Sequence, residues 1–235
     1  MNVVIPEVVS SEIRRFGFIE ESVASFIINF ASEGDCLIDI GSHFGFFALL
    51  MAEIVGEKGS VFCFEPTPST FSILKKNVIS KNNIVINKNA VFNQNIEIEL
   101  NDYGLASSAF NSIRDSRQNK NSINKKRTGT KINVQALKLD DYVKKNKLWP
   151  SLIKIDAEST ELEVLQGMDF ILKEISPVLC IELGDLGVEG VLPGIKIITF
   201  LTAKYGYKPN EIKNCKLYPH KLKEKYNYIN LFFKK

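Results

Sequence analysis

The sequence predicts an α/β protein whose central sheet is mostly parallel and covered by helices on both faces. Short apolar runs with strand character alternate with segments of helical periodicity over most of the chain. Several of these runs end on glycine or on an acid, at the sheet edge where such folds bind ligands. Near the C-terminus, the alternating segments 206–212 and 226–233 are suited to an antiparallel edge pair. Five β-α steps and this pair predict a doubly wound sheet of seven strands.

The composition is that of an ordinary globular protein. The 235 residues, 45% hydrophobic and 24% charged, suffice for a single domain over 1–235. A net charge of +3 is too small to indicate a nucleic-acid partner. The four cysteines are scattered and form no CxxC pair, which predicts free thiols rather than a zinc site or a disulfide framework. Neither a signal peptide nor a membrane-spanning pattern is visible, so we expect a cytoplasmic protein without an integral membrane segment.

The hydrophobic periodicity predicts the elements in chain order. An N-terminal helical segment, 1–34, contains an amphipathic helix over 20–32, and the first β-α unit begins with a strand over 36–41. The further predicted elements are a helix over 46–55, a strand over 59–66, a helix over 67–80, a strand over 84–91, a strand over 152–155 with its following helix, a strand over 177–183 and a helix over 195–204.

An excursion from the core follows the third strand, over 93–133. Short alternating pieces such as IEIEL predict antiparallel strands, whereas 111–131 is polar and without periodicity. This second stretch carries seven basic residues against one acid, a net charge of +6. Two interpretations stay open, a solvated loop and a binding segment for an anionic acceptor. The basic residues are Arg114, Arg117, Lys120, Lys125, Lys126, Arg127 and Lys131.

The segment IKIDAESTELEVL places several carboxylates at one strand-to-helix junction. Its strand ends on Asp156, and Glu158 follows before helical spacing begins. Both acids should lie at the carboxyl edge of the sheet, where open α/β sheets bind their ligands. Thr160 with Glu163 predicts a capping box that starts the next helix. Glu161 and Glu163 are interpreted as first-turn acids that complement the helix dipole.

A second candidate site is the glycine turn after the first strand. Its glycines, Gly41 and Gly45, are four residues apart, with His43 where a dinucleotide fingerprint needs its middle glycine. Glu65 ends the second strand and suits an acid that accepts hydrogen bonds from a ribose, and Asp39 suits a cationic ligand. A nucleoside without a phosphate chain fits this pattern, although a generic turn of an α/β protein stays an alternative.

Together these residues resemble the FkbM-type S-adenosylmethionine-dependent methyltransferases. DIGSHFGFF is similar to the family turn D-x-G-A-N-x-G, and VFCFEPTP to its V-x-A-F-E-P-x-P segment. KNAVF resembles N-x-A-V, and LKLDDY resembles T-L-D-x-[FY]. IKIDAESTELEVLQGM is similar to the hallmark I-K-[IV]-D-x-E-G-x-E-x-x-V-L-x-G-A. The resemblance extends from about Asp39 to Leu183.

The resemblance implies a class I methyltransferase sheet, S-adenosyl-L-methionine as cofactor, and O-methylation of a sugar or glycoconjugate in a polysaccharide, glycolipid or natural-product pathway. The implied cofactor-binding residues are Asp39, Gly41, Ser42, His43, Gly45, Glu65, Ala90 and Asp156. A sugar hydroxyl gains from a general base as its proton leaves. The candidates for base or hydroxyl orientation are Asp156, Glu158 and Glu182, with His43 behind them.

Two residues depart from the family pattern. His43 stands where the family has asparagine, and it can still donate and accept hydrogen bonds. Ser159 stands where the family has glycine. If that glycine needs a positive φ or a close substrate approach, the pocket is altered here.

Several alternatives stay open. Asp156, Glu158 and Glu182 could instead supply oxygens to a magnesium ion, although a few carboxylates specify a metal weakly and we expect none. His220 could line the substrate pocket, but we expect an ordinary surface histidine. A non-catalytic methyltransferase-like binding module is a second functional hypothesis. A nicotinamide-dependent oxidoreductase is a third, disfavoured by the missing middle glycine.

Overall fold

The computed structural model describes residues 1–113, 129–184 and 192–235. Its main sheet is mixed and has eight strands, namely β1 (Cys36–Ile40), β2 (Ser60–Phe64), β3 (Ile84–Asn87), β7 (Leu152–Ile155), β8 (Val178–Leu183), β9 (Lys208–Lys213), β10 (Lys216–Pro219) and β11 (Ile229–Lys234). Their order in the sheet is β10-β9-β11-β8-β7-β1-β2-β3. The five strands from β8 to β3 are parallel to one another, and β11 pairs antiparallel with both β8 and β9.

The prediction of seven strands is wrong by one, because β10 was not recognised. The two segments predicted to pair, β9 and β11, do pair antiparallel, but β10 forms the edge beyond β9. Asn214 and Cys215 connect β9 to β10 with φ of +50° and +59°. Two consecutive residues with positive φ are the requirement of a type I′ hairpin. The sequence Asn-Cys lacks the glycine by which such hairpins are usually recognised.

Helices cover both faces of the sheet, as the β-α alternation predicts. The helices are α1 (Val8–Phe16), α2 (Glu21–Phe30), α3 (Phe46–Val55), α4 (Pro68–Val78), α5 (Leu139–Asn146), α6 (Glu161–Gln166) and α7 (Gly194–Tyr205), with a π-helical turn at Ile171–Ile175. One face of the sheet packs on α2, α3 and α4, and the opposite face on α5, α6 and α7, each with its own buried apolar core. No helix in the described ranges combines the length and apolar character needed to cross a bilayer.

The N-terminal segment, predicted to be helical over 1–34, contains a first helix, α1, for which no separate bounds were predicted. Glu7 caps it, because its carboxylate accepts hydrogen bonds from the backbone N–H groups of Val9 and Ser10. Glutamate is an uncommon capping residue, so the usual start signal is missing. The helix packs beside a 3-10 helix, Leu105–Phe110, from the excursion.

The excursion after the third strand forms a second, three-stranded sheet in the order β4-β6-β5. The predicted strand over 84–91 divides between the two sheets, since β4 (Ala90–Val91) leaves the main sheet and pairs with β6 (Thr130–Leu137). The antiparallel character predicted for IEIEL is confirmed, because β5 (Glu97–Asp102) pairs antiparallel with β6. Of the predicted basic segment, Lys131 lies on β6, with its ammonium 2.6 Å from Glu99. The others, Arg114, Arg117, Lys120, Lys125, Lys126 and Arg127, lie outside the described residues.

The turn after β1 depends on a close approach to β7. Gly41 has φ +76°, and a Cβ at this position would lie 1.9 Å from the carbonyl oxygen of Asp156. Gly17, at the end of α1, has a similar φ of +80°, and apart from its chain neighbours no atom of the described residues lies within 4 Å of a Cβ built there. The two glycines therefore share the backbone requirement but differ in the space available to a side chain.

We predict that Gly17→Ala costs about 1 kcal/mol of folding free energy, through backbone strain alone. Gly41→Ala should cost at least about 3 kcal/mol, because the added methyl also forces β1 and β7 apart. Urea unfolding followed by circular dichroism measures both losses. Equal losses for the two variants would contradict the close approach.

Candidate active site

A cavity of about 480 Å³ opens at the carboxyl ends of β1, β2, β7 and β8. The glycine turn and Glu65 form one part of its wall, and Asp156, Glu158 and Glu182 form another. Residues from the N-terminal segment and from the 3-10 helix also line it. This is the sheet edge at which open α/β sheets bind ligands.

The glycine turn is held tightly against the second strand. The N–H groups of Gly41 and Ser42 both donate to the carbonyl oxygen of Phe64, at 3.0 and 3.1 Å. The Ser42 hydroxyl donates to the carbonyl oxygen of Asp39 at 2.8 Å. Gly45, with φ +90°, then starts α3, and a Cβ there would meet Leu74 at 2.6 Å. The turn is thus a rigid part of the cavity wall.

His43 adopts φ +48°, a conformation in which asparagine and histidine are enriched among non-glycine residues. The substitution of the family's asparagine is therefore compatible with the turn. Its ring Nε2 lies 2.7 Å from the Ser108 hydroxyl of the 3-10 helix. Burial lowers the pKa of His43 to about 4, so the imidazole is neutral at pH 7. His43 thus connects the turn to the excursion without adding charge.

Glu65 is buried at the end of β2, with both carboxylate oxygens engaged by backbone groups. Oε1 accepts from the Thr67 N–H at 2.9 Å, and Oε2 accepts from the His43 N–H at 3.1 Å. Burial raises the pKa of Glu65 to about 7, although these hydrogen bonds oppose the shift. Each carboxylate oxygen can accept a further hydrogen bond, which suits a ligand with vicinal hydroxyls such as a ribose. Ala90 lines the same cavity.

Lys154 is a site residue that was missed in the sequence. Its side chain is buried on β7, with the ammonium 3.1 Å from Asp156 Oδ2 and 3.8 Å from Asp39 Oδ1. Burial alone would lower the pKa of Lys154, but Asp156, Asp39 and Glu20 raise it overall. The lysine is therefore a permanent cation. The alternation in IKID could have indicated it, because residues two apart on a strand share a face.

Asp39 lies behind the cavity rather than on its wall. It is wholly buried, and neither carboxylate oxygen has a hydrogen-bond partner among the described residues. Burial raises the pKa of Asp39, and the charge of Lys154 opposes that shift. The acid predicted to meet a cationic ligand thus pairs with a cation of the chain itself.

The three predicted catalytic acids converge. Carboxylate oxygens of Asp156, Glu158 and Glu182 lie within 4.8 Å of one another, and all three residues are half-buried. Such a group can orient a hydroxyl and accept its proton. The spacing would also suit a divalent cation, but acids are common at this spacing without one.

The junction after β7 is built differently from the predicted capping box. Thr160 occupies the N-cap position of α6, but its hydroxyl donates to the Ala157 carbonyl at 2.8 Å and caps nothing. Glu161 instead accepts hydrogen bonds from the N–H groups of Ala157 and Ser159, both at 3.1 Å. Its role is therefore to hold the turn, not only to complement a dipole. The prediction failed because the Thr160 hydroxyl bonds to a carbonyl of the preceding turn instead of accepting from an N–H of the helix.

The turn also explains the glycine of the family motif. Glu158 and Ser159 have φ of +48° and +78°, in the left-handed region that favours glycine. Ser159 does not line the main cavity, so its side chain leaves the cavity wall unchanged. The departure from the family pattern is a matter of backbone strain.

His220 is not the surface residue that we expected, nor does it line the cavity. It is 8% exposed, with Nδ1 2.6 Å from Glu211 and Nε2 2.9 Å from the Tyr226 hydroxyl. These two hydrogen bonds of His220 join β9 to the segment before β11. The surrounding sequence, Tyr-Pro-His-Lys, is polar and is typical of a surface segment, so the burial of His220 was not predicted.

We predict that Lys154→Met destabilises the fold by about 3–5 kcal/mol, because Asp39 is left as an unpaired buried charge. Adding Asp39→Asn should restore part of the loss. Lys58→Met is the control, since the ion pair of Lys58 with Glu33 is exposed and should contribute little. Chemical denaturation of Lys154→Met, Asp39→Asn, their double variant and Lys58→Met measures the coupling, and purely additive losses at Lys154 and Asp39 would contradict it.

Comparison with known proteins identifies the family. The model of the methyltransferase FkbM domain matches residues 39–209. Hexuronic acid methyltransferase AglP from Haloferax volcanii is 31% identical over 162 residues, which are 68% of this chain and 61% of that protein. Methyltransferase 1 from Beauveria bassiana is 22% identical over 193 residues, 75% of this chain and 77% of that protein. The chain thus covers less than two thirds of the length of AglP.

Solved structures agree on the fold. The methyltransferase FkbM from Methylobacillus flagellatus superposes with a TM-score of 0.54 at 14% identity, over 93% of this chain and 46% of that one. An S-adenosylmethionine-dependent O-methyltransferase from Thermotoga maritima gives 0.50 at 12% identity, over 99% and 72%. The matched range 39–209 includes the glycine turn, Glu65 and the three converging acids. The chain therefore belongs to the FkbM family of S-adenosylmethionine-dependent methyltransferases.

Proposed function

We propose that this protein transfers a methyl group from S-adenosylmethionine to a hydroxyl of a sugar or glycoconjugate. The observation that carries the proposal is the convergence of Asp156, Glu158 and Glu182 on one wall of the cavity at the carboxyl edge of the sheet. Carboxylates are the usual partners of sugar hydroxyls, since they accept hydrogen bonds and can take a proton. The similarity to a hexuronic acid methyltransferase supports a sugar acceptor.

The residues of the cavity fit the cofactor. Glu65 offers a buried carboxylate to ribose hydroxyls, and the tight turn at Gly41 brings backbone close to a ligand. Ser42, His43 and Ala90 line the same cavity, whereas Gly45 does not line it and is the N-cap residue of α3. When bound, S-adenosylmethionine supplies an electrophilic methyl group on a positively charged sulfur.

Asp156, Glu158 and Glu182 have different proposed roles toward the acceptor hydroxyl. Lys154 holds the Asp156 carboxylate in one orientation, which suits Asp156 to orient the acceptor hydroxyl. Glu182, at the end of β8, and Glu158 are the proposed proton acceptors. Much of the rate enhancement comes from holding the hydroxyl oxygen in line with the methyl group, where effective molarities reach the order of 10⁵ M or more.

The charge of the wall favours an uncharged hydroxyl at the reacting position. A carboxylate acceptor would meet three acids at close range, and like charges in a partly buried site repel strongly. An anionic group elsewhere on the acceptor is compatible with this, and the basic segment within 111–131 is proposed to bind it.

The test uses purified protein, labelled S-adenosylmethionine and methyl glycosides of glucose, galactose and glucuronic acid. We expect a methyl ether, which resists mild alkali, rather than a methyl ester, which is hydrolysed. An alkali-labile product would contradict hydroxyl transfer. Cofactor that binds but is never consumed against a broad glycan panel would favour the non-catalytic binding module.

We predict that Glu182→Gln lowers kcat about 100-fold or more, since an amide cannot take the hydroxyl proton. Its affinity for S-adenosylhomocysteine should change less than about threefold, because the loss lies in the chemical step. Glu174→Gln, an exposed acid after α6, is the matched control and should leave kcat unchanged. An unaffected kcat in Glu182→Gln would remove Glu182 from the mechanism.

We also predict that affinity for S-adenosylhomocysteine falls as the pH drops from about 8 to 6. The pKa of Glu65 is about 7, so acid protonates the carboxylate and removes an acceptor from the ribose site. Calorimetry at several pH values measures the change. In Glu65→Gln affinity should be weaker by about tenfold or more and should lose this part of the pH dependence. The same pH profile in both proteins would exclude Glu65 as its source.

A further inference from the structure

Glu20 lies on the wall of the cavity, outside the range 39–209 that matches the family. It precedes α2 with φ +44°, a strained conformation for a long side chain. Its carboxylate does not cap the helix that it precedes. Strain at a cavity wall, without a local role in capping, points to a functional role.

The carboxylate is held by a residue far away in the sequence. Asn230 Nδ2 donates a hydrogen bond to Glu20 Oε2 at 2.9 Å. Asn230 lies on β11, directly opposite Glu182 of β8 in the strand register. This bond therefore fixes Glu20 beside the acid wall, which is the part of the cavity wall formed by Asp156, Glu158 and Glu182. It also joins the N-terminal segment to the sheet.

Negative charge is in excess around this position. Lys154 is the only lysine or arginine among the described residues that line the cavity, and it faces Asp156, Asp39 and Glu20. The positive charge of one ammonium thus faces the negative charges of three carboxylates, and His43 adds no charge at pH 7. Burial raises the pKa of Glu20, and Lys154 opposes the shift. A ligand with positive charge would balance the site.

We propose that Glu20 recognises the positive charge of S-adenosylmethionine, so that the site binds the charged cofactor more tightly than S-adenosylhomocysteine, whose sulfur is neutral. The two ligands differ in one methyl group and in the positive charge that it gives the sulfur, so a second cationic ligand is needed to separate the effect of charge from that of the methyl group. A partly buried carboxylate acts through a low effective dielectric, which makes such a difference measurable. Weaker binding of the neutral product would also favour its release. The proposal rests on the cofactor and not on the identity of the acceptor.

Calorimetry with three ligands tests this assignment. The ligands are S-adenosylmethionine, S-adenosylhomocysteine and sinefungin, which carries a protonated amine in place of the sulfonium. In Glu20→Gln we expect affinity for the two charged ligands to fall about tenfold or more, and affinity for S-adenosylhomocysteine to change less than about threefold. Glu12→Gln is the control, because Glu12 also lines the cavity but is exposed and screened by solvent.

Other outcomes would overturn the proposal. Equal losses for all three ligands would mean that Glu20 only supports the fold of the N-terminal segment, and no loss would exclude it from the site. Should Glu20→Gln fail to fold, Glu20→Asp withdraws the charge from its position and must narrow the preference for S-adenosylmethionine. A wild-type protein that binds none of the three ligands would instead refute the cofactor assignment itself.

Discussion

The site depends on the buried ammonium of Lys154. It pairs with Asp39 on the neighbouring strand and with Asp156 at the end of its own strand, at 3.8 and 3.1 Å. In the strand register, Asp39 and Lys154 are flanked by Cys63 and Cys180, two buried thiols whose pKa values burial raises, so that they stay neutral. The two charged residues therefore rely on each other. Because an unpaired buried charge is costly, this pair fixes β1 against β7 and with it the geometry of the acid wall.

Backbone strain is concentrated around the same cavity. Nine non-glycine residues of the described ranges have positive φ, and four of them, Glu20, His43, Glu158 and Tyr228, line the cavity. Such conformations persist only where the surrounding structure determines them. Here the hydrogen bond from the His43 N–H to Glu65 holds His43, and the hydrogen bond from Asn230 holds Glu20. The strained turns present backbone and side chains to the ligand in fixed positions, which lowers the entropy lost on binding.

Much of the core could be predicted from the sequence, because its elements have local causes. Period-two strands and period-3.6 helices gave α3 at 46–55 with its bounds unchanged, and the acid-rich motif indicated the family. The hairpin at Asn214 and the bounds of the helix capped by Glu7 were missed, since each uses an atypical residue for its turn or cap. Glu20, with its partner Asn230 210 residues away, could not be found by any local pattern.

The excess of carboxylates over cations in the cavity suits both parts of the proposed reaction, binding of the charged cofactor and removal of the hydroxyl proton. In the proposed reaction, the carboxylates around Lys154 would face a positively charged cofactor and a neutral hydroxyl. A carboxylate such as Glu182 would take the hydroxyl proton, and bound S-adenosylmethionine would supply the methyl group. The proton gained by the carboxylate would offset the positive charge lost from the cofactor, so the total charge of the site would be unchanged. A change in the net charge of a buried site is costly, because charges are poorly solvated there. Moving charge over a short distance within the site costs less. A wall of several acids with one fixed cation is therefore suited to a reaction in which charge moves only a short distance.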